Sequence, residues 1–502
     1  MGEANRVSFP RGGFNKCSNK PNKLPEDLEL YKCDEAVAAR RSSECSVGSA
    51  VFEGQTDDIL LPSKPIRIFQ TVNLNMASIS LGLTLAIVGP TLLDISEILG
   101  ISVAQMSYVA FSGDFGAFVG SFLATPLFAM FNAQRVIIMC MLCSGIFNIL
   151  IPHGTTPLFV ATFAFLNGCF FGVQEIGVYV WLVGIWRDHV SPAIQLLHLM
   201  YGIGALFAPL IAEPFLSSEA TVHGAMIVTG VNSTFVPSSI ENNAIPQYSH
   251  VYIPYAIIGC IFLLTALFMT ISFYFDSRDI RPNKKAKKST VLNTSGKLFE
   301  WSLVCLVGFY TLIDVTLEAC FSKFISVYAV TEHGFTKSSA AFLTSLCYGG
   351  FTLARVLAVP LSYHLTPMHL MIVGQCILLL AALALAFLTH WSPSILWVGC
   401  CLLGAGLSPL YGSCTAWVSD HVTLCHDYMS VILILTCSGA LVPPVIVGHY
   451  IETSPILLMY VVLASGVAMS INLAAMHFAV KLFRRAKRAR EPNFYQVRRF
   501  SL

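Results

Sequence analysis

Gly204-Ala205-Leu206-Phe207-Ala208-Pro209-Leu210-Ile211 returns 235 residues further on as Gly439-Ala440-Leu441-Val442-Pro443-Pro444-Val445-Ile446, keeping the Gly-Ala-Leu, one Pro and the Ile. Two shorter stretches return at nearly the same distance. Leu123-Ala124-Thr125-Pro126-Leu127 reappears as Leu357-Ala358-Val359-Pro360-Leu361, a shift of 234, and Asp188-His189-Val190 as Asp420-His421-Val422, a shift of 232. The second half therefore copies the first with almost no slippage. A parallel repeat in apolar sequence points to a membrane chain built from two halves that work against each other.

The composition agrees. Apolar residues make up 55% of the 502 and charged residues 12%, with a mean hydropathy of +0.68. A water-soluble domain carries about 25% charged residues, so most of this surface faces something other than water. Crossing about 30 Å of hydrocarbon takes roughly 20 residues of helix. Suitable stretches fall at 68–92, 104–130, 134–151, 157–186, 193–216, 251–275, 298–328, 338–363, 367–389, 394–418, 429–450 and 455–479. The expected fold is an all-α membrane protein with twelve transmembrane helices in two pseudo-symmetric six-helix halves, 67–275 and 298–480. A cytoplasmic central loop, 276–297, joins them. A disordered cytoplasmic N-terminal tail, 1–66, and a basic C-terminal tail, 481–502, flank them.

Lys and Arg favour cytoplasmic loops, and 27 of the 30 fall in the tails, the central loop or two short loops at Arg135 and Arg187. Of the other three, Lys337 alone stands in an outer loop. Both termini are thus expected in the cytoplasm of a multi-pass protein, most simply at the plasma membrane. The net charge of +2 says nothing about nucleic acid; the basic clusters lie next to the membrane and read as solvated inner flanks that set topology ahead of contacts with anionic lipid headgroups at Lys481 to Arg490. No cysteine lies in an outer loop, so no disulfide framework is expected. Asp420, His421, Cys425, His426 and Asp427 lack zinc spacing and read as a polar inner loop, so no metal site is expected. The outer loop 217–250 carries Asn232-Ser233-Thr234, which makes Asn232 a glycosylation candidate; Asn293-Thr294-Ser295 lies inside.

An ionisable group inside a span is unfavourable in lipid and is a functional candidate by default. Asp314 and Glu318 stand four apart on one face of span 7. Two carboxylates about 6 Å apart at low dielectric need a cation, a proton or a donor between them. Both ion coupling and simple neutralisation by protons or polar neighbours satisfy that need. In span 4, Asn167, Phe171, Gln174 and Glu175 fall within one arc of the wheel and form a polar-aromatic stripe, a binding surface or a helix clamp. Carboxylate and amide oxygens beside ring faces suit both sodium and a sugar. Gln195 and His198, three apart in span 5, can bind substrate, shuttle protons, lock an inner gate or hold a neighbouring helix. Arg355 in span 8 reads as a gate latch ahead of a substrate ligand. Lys323 reads as a structural residue that snorkels outward. Asp114 requires a partner on another helix, and Asn73 and Asn75 complete the polar set. Gly89-Pro90, Pro209, Pro409 and Pro443-Pro444 supply bends for gating, with Pro209 and Pro444 at equivalent repeat positions.

Twelve spans, a charged central loop and two parallel halves resemble the major facilitator superfamily over about residues 67–480. More narrowly, the chain resembles the sodium-dependent glucose transporter type 1 branch and its relatives, the major facilitator domain-containing protein 4 group. The resemblance rests on Gly89-Pro-Thr-Leu-Leu-Asp94, Gly172-x-x-Glu175-x-Gly177, Trp186, Gln195-Leu-Leu-His198, Gly204-Ala-Leu-Phe-Ala-Pro209, Tyr310-x-x-x-Asp314-Val and Leu353-Ala-Arg355-x-Leu-x-x-Pro360-Leu-Ser362. The family pattern has Asp where this chain has Glu175, Asn where it has Tyr179 and Glu where it has Asp314. The superfamily's basic motif after span 2 is reduced to Arg135.

The resemblance implies a secondary active transporter that is functional as a monomer and moves a hexose such as glucose with sodium. Glu175, Asp314 and Glu318 would couple the ion, and Asn167, Gln174, Glu175, Gln195, His198 and Asp314 would face the substrate. Proton coupling or uniport of another small organic solute stays open, as does a receptor or scaffold that kept the fold. No nucleophile, metal or cofactor motif suggests an enzyme; sodium is the one co-transported ion expected. At a shift of 234, Asp314 falls opposite Ser80, Glu318 opposite Thr84 and Arg355 opposite Ser121. The charges are what the halves do not share, and the sites are expected there.

Overall fold

The computed structural model describes residues 63–186, 190–217, 249–278, 294–361, 364–422 and 426–490. Asn232, Arg187, Asp188, His189, Cys425, both outer portions of the tails and most of the central loop lie outside them. Every regular element among the described residues is helical, and twelve helices are long and apolar enough to cross a membrane. They are α1 (Lys64–Leu99), α2 (Val103–Met130), α3 (Ala133–Leu150), α4 (Pro157–Trp186), α5 (Val190–Ala212) and α6 (Tyr252–Phe275). The second six open with α7 (Thr294–His333), α8 (Lys337–Leu361) and α9 (Pro367–Phe387). Two helices in two pieces follow: α10 (Pro393–Leu407 and Leu410–Ser419) and α11 (His426–Ser438 and Val442–Tyr450). The last is α12 (Leu457–Arg490). Each expected span lies on one of these helices. An even count brings the start of α1 and the end of α12 to the same side, called here the tail end; the other side is the far end.

The repeat reaches further than the three sequence matches. Gly100 closes α1 with φ +64°, and Gly334, 234 residues later, follows α7 with φ +64°. Only glycine adopts that left-handed conformation without penalty. Two residues on, the Ser102 hydroxyl accepts the Gln105 amide at 3.2 Å, and the Thr336 hydroxyl accepts the Ser339 amide at 3.2 Å. These hydroxyls satisfy orphan amides at the starts of α2 and α8. Both halves thus turn at the far end with the same cap in the same register.

Glycines also set the packing inside each half. A Cβ on Gly204 would overlap the Ile79 carbonyl, so α5 lies backbone to backbone on α1; Gly439 stands likewise against the Leu312 carbonyl, joining α11 to α7. Gly116 and Gly172 join α2 to α4, and Gly350 and Gly404 join α8 to α10. With no hydrophobic drive between helices in lipid, such close approach is what holds them.

The prolines act unequally. α1 and α5 run unbroken through Pro90 and Pro209. The two pieces of α10 part at Pro409, and those of α11 part at Gly439 ahead of Pro443-Pro444. Pro209 lies three residues from the end of α5 and withdraws one amide, whereas the double proline withdraws two in succession beside a glycine. Pro209 and Pro444 are equivalent in sequence but not in shape.

Candidate functional site

Glycines mark three of the places where the halves meet. α1 meets α7, where a Cβ on Gly89 would overlap the Ser322 carbonyl; α5 meets α8, where Gly202 lies against Thr352; and α2 meets the second piece of α11, where Gly448 lies against Ser107. The second and third contacts exchange under the repeat, which maps α2 onto α8 and α5 onto α11.

Between these seams lies a cavity of about 300 Å³, within the range of small-molecule sites. α4 contributes Asn167, Phe171 and Glu175, so three of the four residues of the expected stripe line this cavity. α7 contributes Glu318 and Lys323, α2 contributes Asp114, Phe118 and Ser121, and α1 contributes Thr84. Thr84 and Ser121 are the residues that the repeat sets opposite Glu318 and Arg355. Neither Glu175 nor Glu318 has an ion-pair partner among the described residues. The Asn148 amide donates to Asn167 Oδ1 at 3.4 Å, which aims that amide at the cavity wall.

Three expectations need correction. Gln174 does not line the cavity; it is fully buried, with both amide atoms unpaired. It lies about 100° round α4 from Glu175 but only about 20° from Asn167, two turns away, so at its level packing within its own half, and not the cavity, covers that side. Lys323 does not snorkel outward: it is 5% exposed and donates to Asp114 Oδ2 across the seam between the halves. That bond also names the partner Asp114 requires. Asn73 and Asn75 are structural, donating to the carbonyls of Phe268 and Thr71.

Asp314 lies outside the cavity lining, 5% exposed with Oδ1 unpaired, and its charged neighbours are Glu318 and Arg355. Arg355 is as deeply buried. Its guanidinium stands 5.1 Å over the Phe351 ring with Nε unpaired, and no carboxylate among the described residues comes within 4.0 Å. Tyr179 and His198 meet at 3.2 Å, and the His198 ring faces Tyr411 of the second half at 6.5 Å between centroids. Gln195, one turn before His198, is half-buried and away from the cavity wall.

The far end is shut by a network absent from the expected site. Lys337 Nζ donates to Asp94 Oδ1 and Glu97 Oε2, each at 2.7 Å, and to Ser217 Oγ at 2.6 Å. Ser217 and Ser249 also donate to Asp94, Ser338 donates to Glu213, and the Val103 amide donates to Glu452. These bonds explain why α1 outruns its apolar stretch as far as Leu99: the polar last turn is neutralised by α8.

The Major Facilitator Superfamily model matches residues 74–444. The chain belongs to this superfamily. Its members carry small molecules and are not enzymes. The chain is 26% identical over 425 residues to sodium-dependent glucose transporter 1 of Rattus norvegicus, covering 82% of this chain and 86% of that protein. It is 25% identical over 460 residues to major facilitator superfamily domain-containing protein 4A of Xenopus tropicalis, covering 80% and 89%. Among solved structures, the nucleoside transporter NupG aligns with a TM-score of 0.56 at 14% identity, over 83% of this chain and 99% of that one. A bacterial homologue of the human lysosomal transporter Spinster, inward-facing and unoccupied, aligns with a TM-score of 0.56 at 13% identity, over 85% and 98%. These structural likenesses speak for the fold alone.

Sequence reading passed over Asp94, Lys337 and Tyr179 as site residues. Signals for each existed. Lys337 is the one basic residue expected in a far-end loop, Asp94 ends the first family motif, and Tyr179 stands where the family has Asn.

Proposed function

We propose that this transporter moves a hexose such as glucose across the plasma membrane together with sodium, working as a monomer by alternating access, with the tail end in the cytoplasm. The observation that carries the reading is a pair of carboxylates from opposite halves, Glu175 and Glu318, that face one cavity with no salt-bridge partner within 4.0 Å among the described residues. Such a pair stays charged at low dielectric only with a cation between or beside it. Sodium supplies that charge and takes oxygen ligands, which Glu175, Glu318, Thr84 and Ser121 offer from one wall to the other. The Asn167 amide and the Phe171 ring supply the hydrogen bonding and the flat apolar face that a sugar needs.

Charge distribution supports the orientation, because the basic residues gather at the tail end. The Lys337 network acts as the far-end lock. Tyr179, His198, Tyr411 and Arg355 form the tail-side gate, with Asp314 as the acid that senses it. Asn232 carries the glycan of the outer loop.

The test is uptake of labelled glucose into proteoliposomes under an inward sodium gradient, with choline replacing sodium, and under an inward proton gradient. Sodium-driven accumulation is expected. Accumulation driven by protons and indifferent to sodium refutes the sodium reading, and no uptake of any sugar alongside capture of a protein partner favours a scaffold.

A further inference from the structure

Asp114 and Lys323 pair on the wall of the cavity, with side chains 17% and 6% exposed. The two ends of that pair belong to different bodies. Asp114 stands on α2 beside Gly113 and Gly116, where α2 and α4 are in backbone contact: a Cβ on Gly168 would overlap the Gly113 carbonyl, and one on Gly116 the Phe165 carbonyl. α2 therefore moves with α4. Lys323 stands on α7 between Phe321 and Phe324, which are 1% and 0% exposed. Neither backbone can follow the other without unpacking its own half.

Opening the far end parts α2 from α7 and so parts this pair. A carboxylate then lines a watered cavity with its cation withdrawn, which is the chemistry that receives a small monovalent cation. Closing the far end brings the ammonium back to the same oxygen. In either conformation the carboxylate holds one positive charge, so closure strands no charge in the low-dielectric interior.

We propose that Lys323 is a tethered counter-ion occupying Asp114 in the far-closed conformation, and that Asp114 receives the co-transported cation when the far end opens. This rests on the coupling reading above and adds a loading step to it. The ion enters at Asp114, and the returning ammonium displaces it along the same cavity towards Glu175 and Glu318.

The test uses the full-length chain in proteoliposomes, with labelled sodium binding and labelled glucose uptake measured side by side. Asp114→Asn is expected to raise the sodium concentration for half-maximal binding about tenfold or more. Lys323→Met, which leaves Asp114 without a competitor, is expected to tighten sodium binding about tenfold and to lower net uptake while sodium-for-sodium exchange persists. The double variant strands neither charge and covers the case in which Asp114→Asn fails to fold; it should weaken sodium binding about tenfold or more, as Asp114→Asn does. Wild-type protein with no sodium response refutes the coupling reading and the exchange with it. A wild-type response that both single variants leave unchanged refutes the exchange alone.

Discussion

Lys337→Met keeps the length and apolar stem of the side chain and removes its charge. The ammonium lies 2.7 Å from both Asp94 and Glu97, and the lysine side chain is 2% exposed, against 0% for Asp94 and 32% for Glu97. Removing one member of a buried ion pair costs about 3–5 kcal/mol because the survivor is stranded. Asp94 is stranded only in part, since the Ser217 amide at 2.9 Å and the Ser249 hydroxyl still donate to it, and Glu97 can turn to water. The low end, about 3 kcal/mol, is therefore appropriate. A far-open conformation has already parted α1 from α8, so the loss falls on the closed form alone. At about 1.4 kcal/mol per tenfold, the opening equilibrium moves by about 100-fold. A cysteine at Ala110, on the cavity wall in α2, reports the change in a background free of native cysteines. Its modification by a membrane-impermeant thiol reagent applied at the far end should quicken about 100-fold in Lys337→Met. In Glu97→Gln, which removes a partly exposed partner, it should quicken by only about 2–5-fold. An unchanged rate in folded, membrane-inserted Lys337→Met refutes the lock.

Other perturbations separate coupling from packing. Asp314→Asn should abolish concentrative glucose uptake while leaving folding and surface expression intact; accumulation that survives removes Asp314 from the coupling mechanism. Gly116→Val places a side chain on the Phe165 carbonyl and should destabilise the protein by about 3 kcal/mol or more in a detergent thermal-shift assay. Gly412→Ala, with only Arg355 Nη1 near at 3.8 Å, should leave the melting temperature within about 2 °C. Gln174→Leu removes two unpaired buried polar atoms and should stabilise by about 1–2 kcal/mol without altering the KM for glucose; a raised KM would return Gln174 to the substrate site.

Local sequence was enough to read the twelve helices, their two-fold parallel arrangement and the face of α4 that lines the cavity. Those features follow from hydropathy, from a repeat period and from helical geometry, none of which depends on what a helix packs against. Asn167, Phe171 and Glu175 fall together because residues three and four apart share a helix face whatever surrounds them. Gln174 marks where that logic stops, because neighbouring helices decide how much of a stripe the cavity exposes. Asp114 with Lys323 and Asp94 with Lys337 are separated by 209 and 243 residues. Each member alone read as a lone charge, a snorkelling lysine or a loop residue. The meeting of the two halves supplies the low dielectric and the opposite charge that turn them into buried ion pairs. Glu175 and Glu318 likewise come to line one cavity through that seam, since only the tertiary structure decides which groups a carboxylate faces.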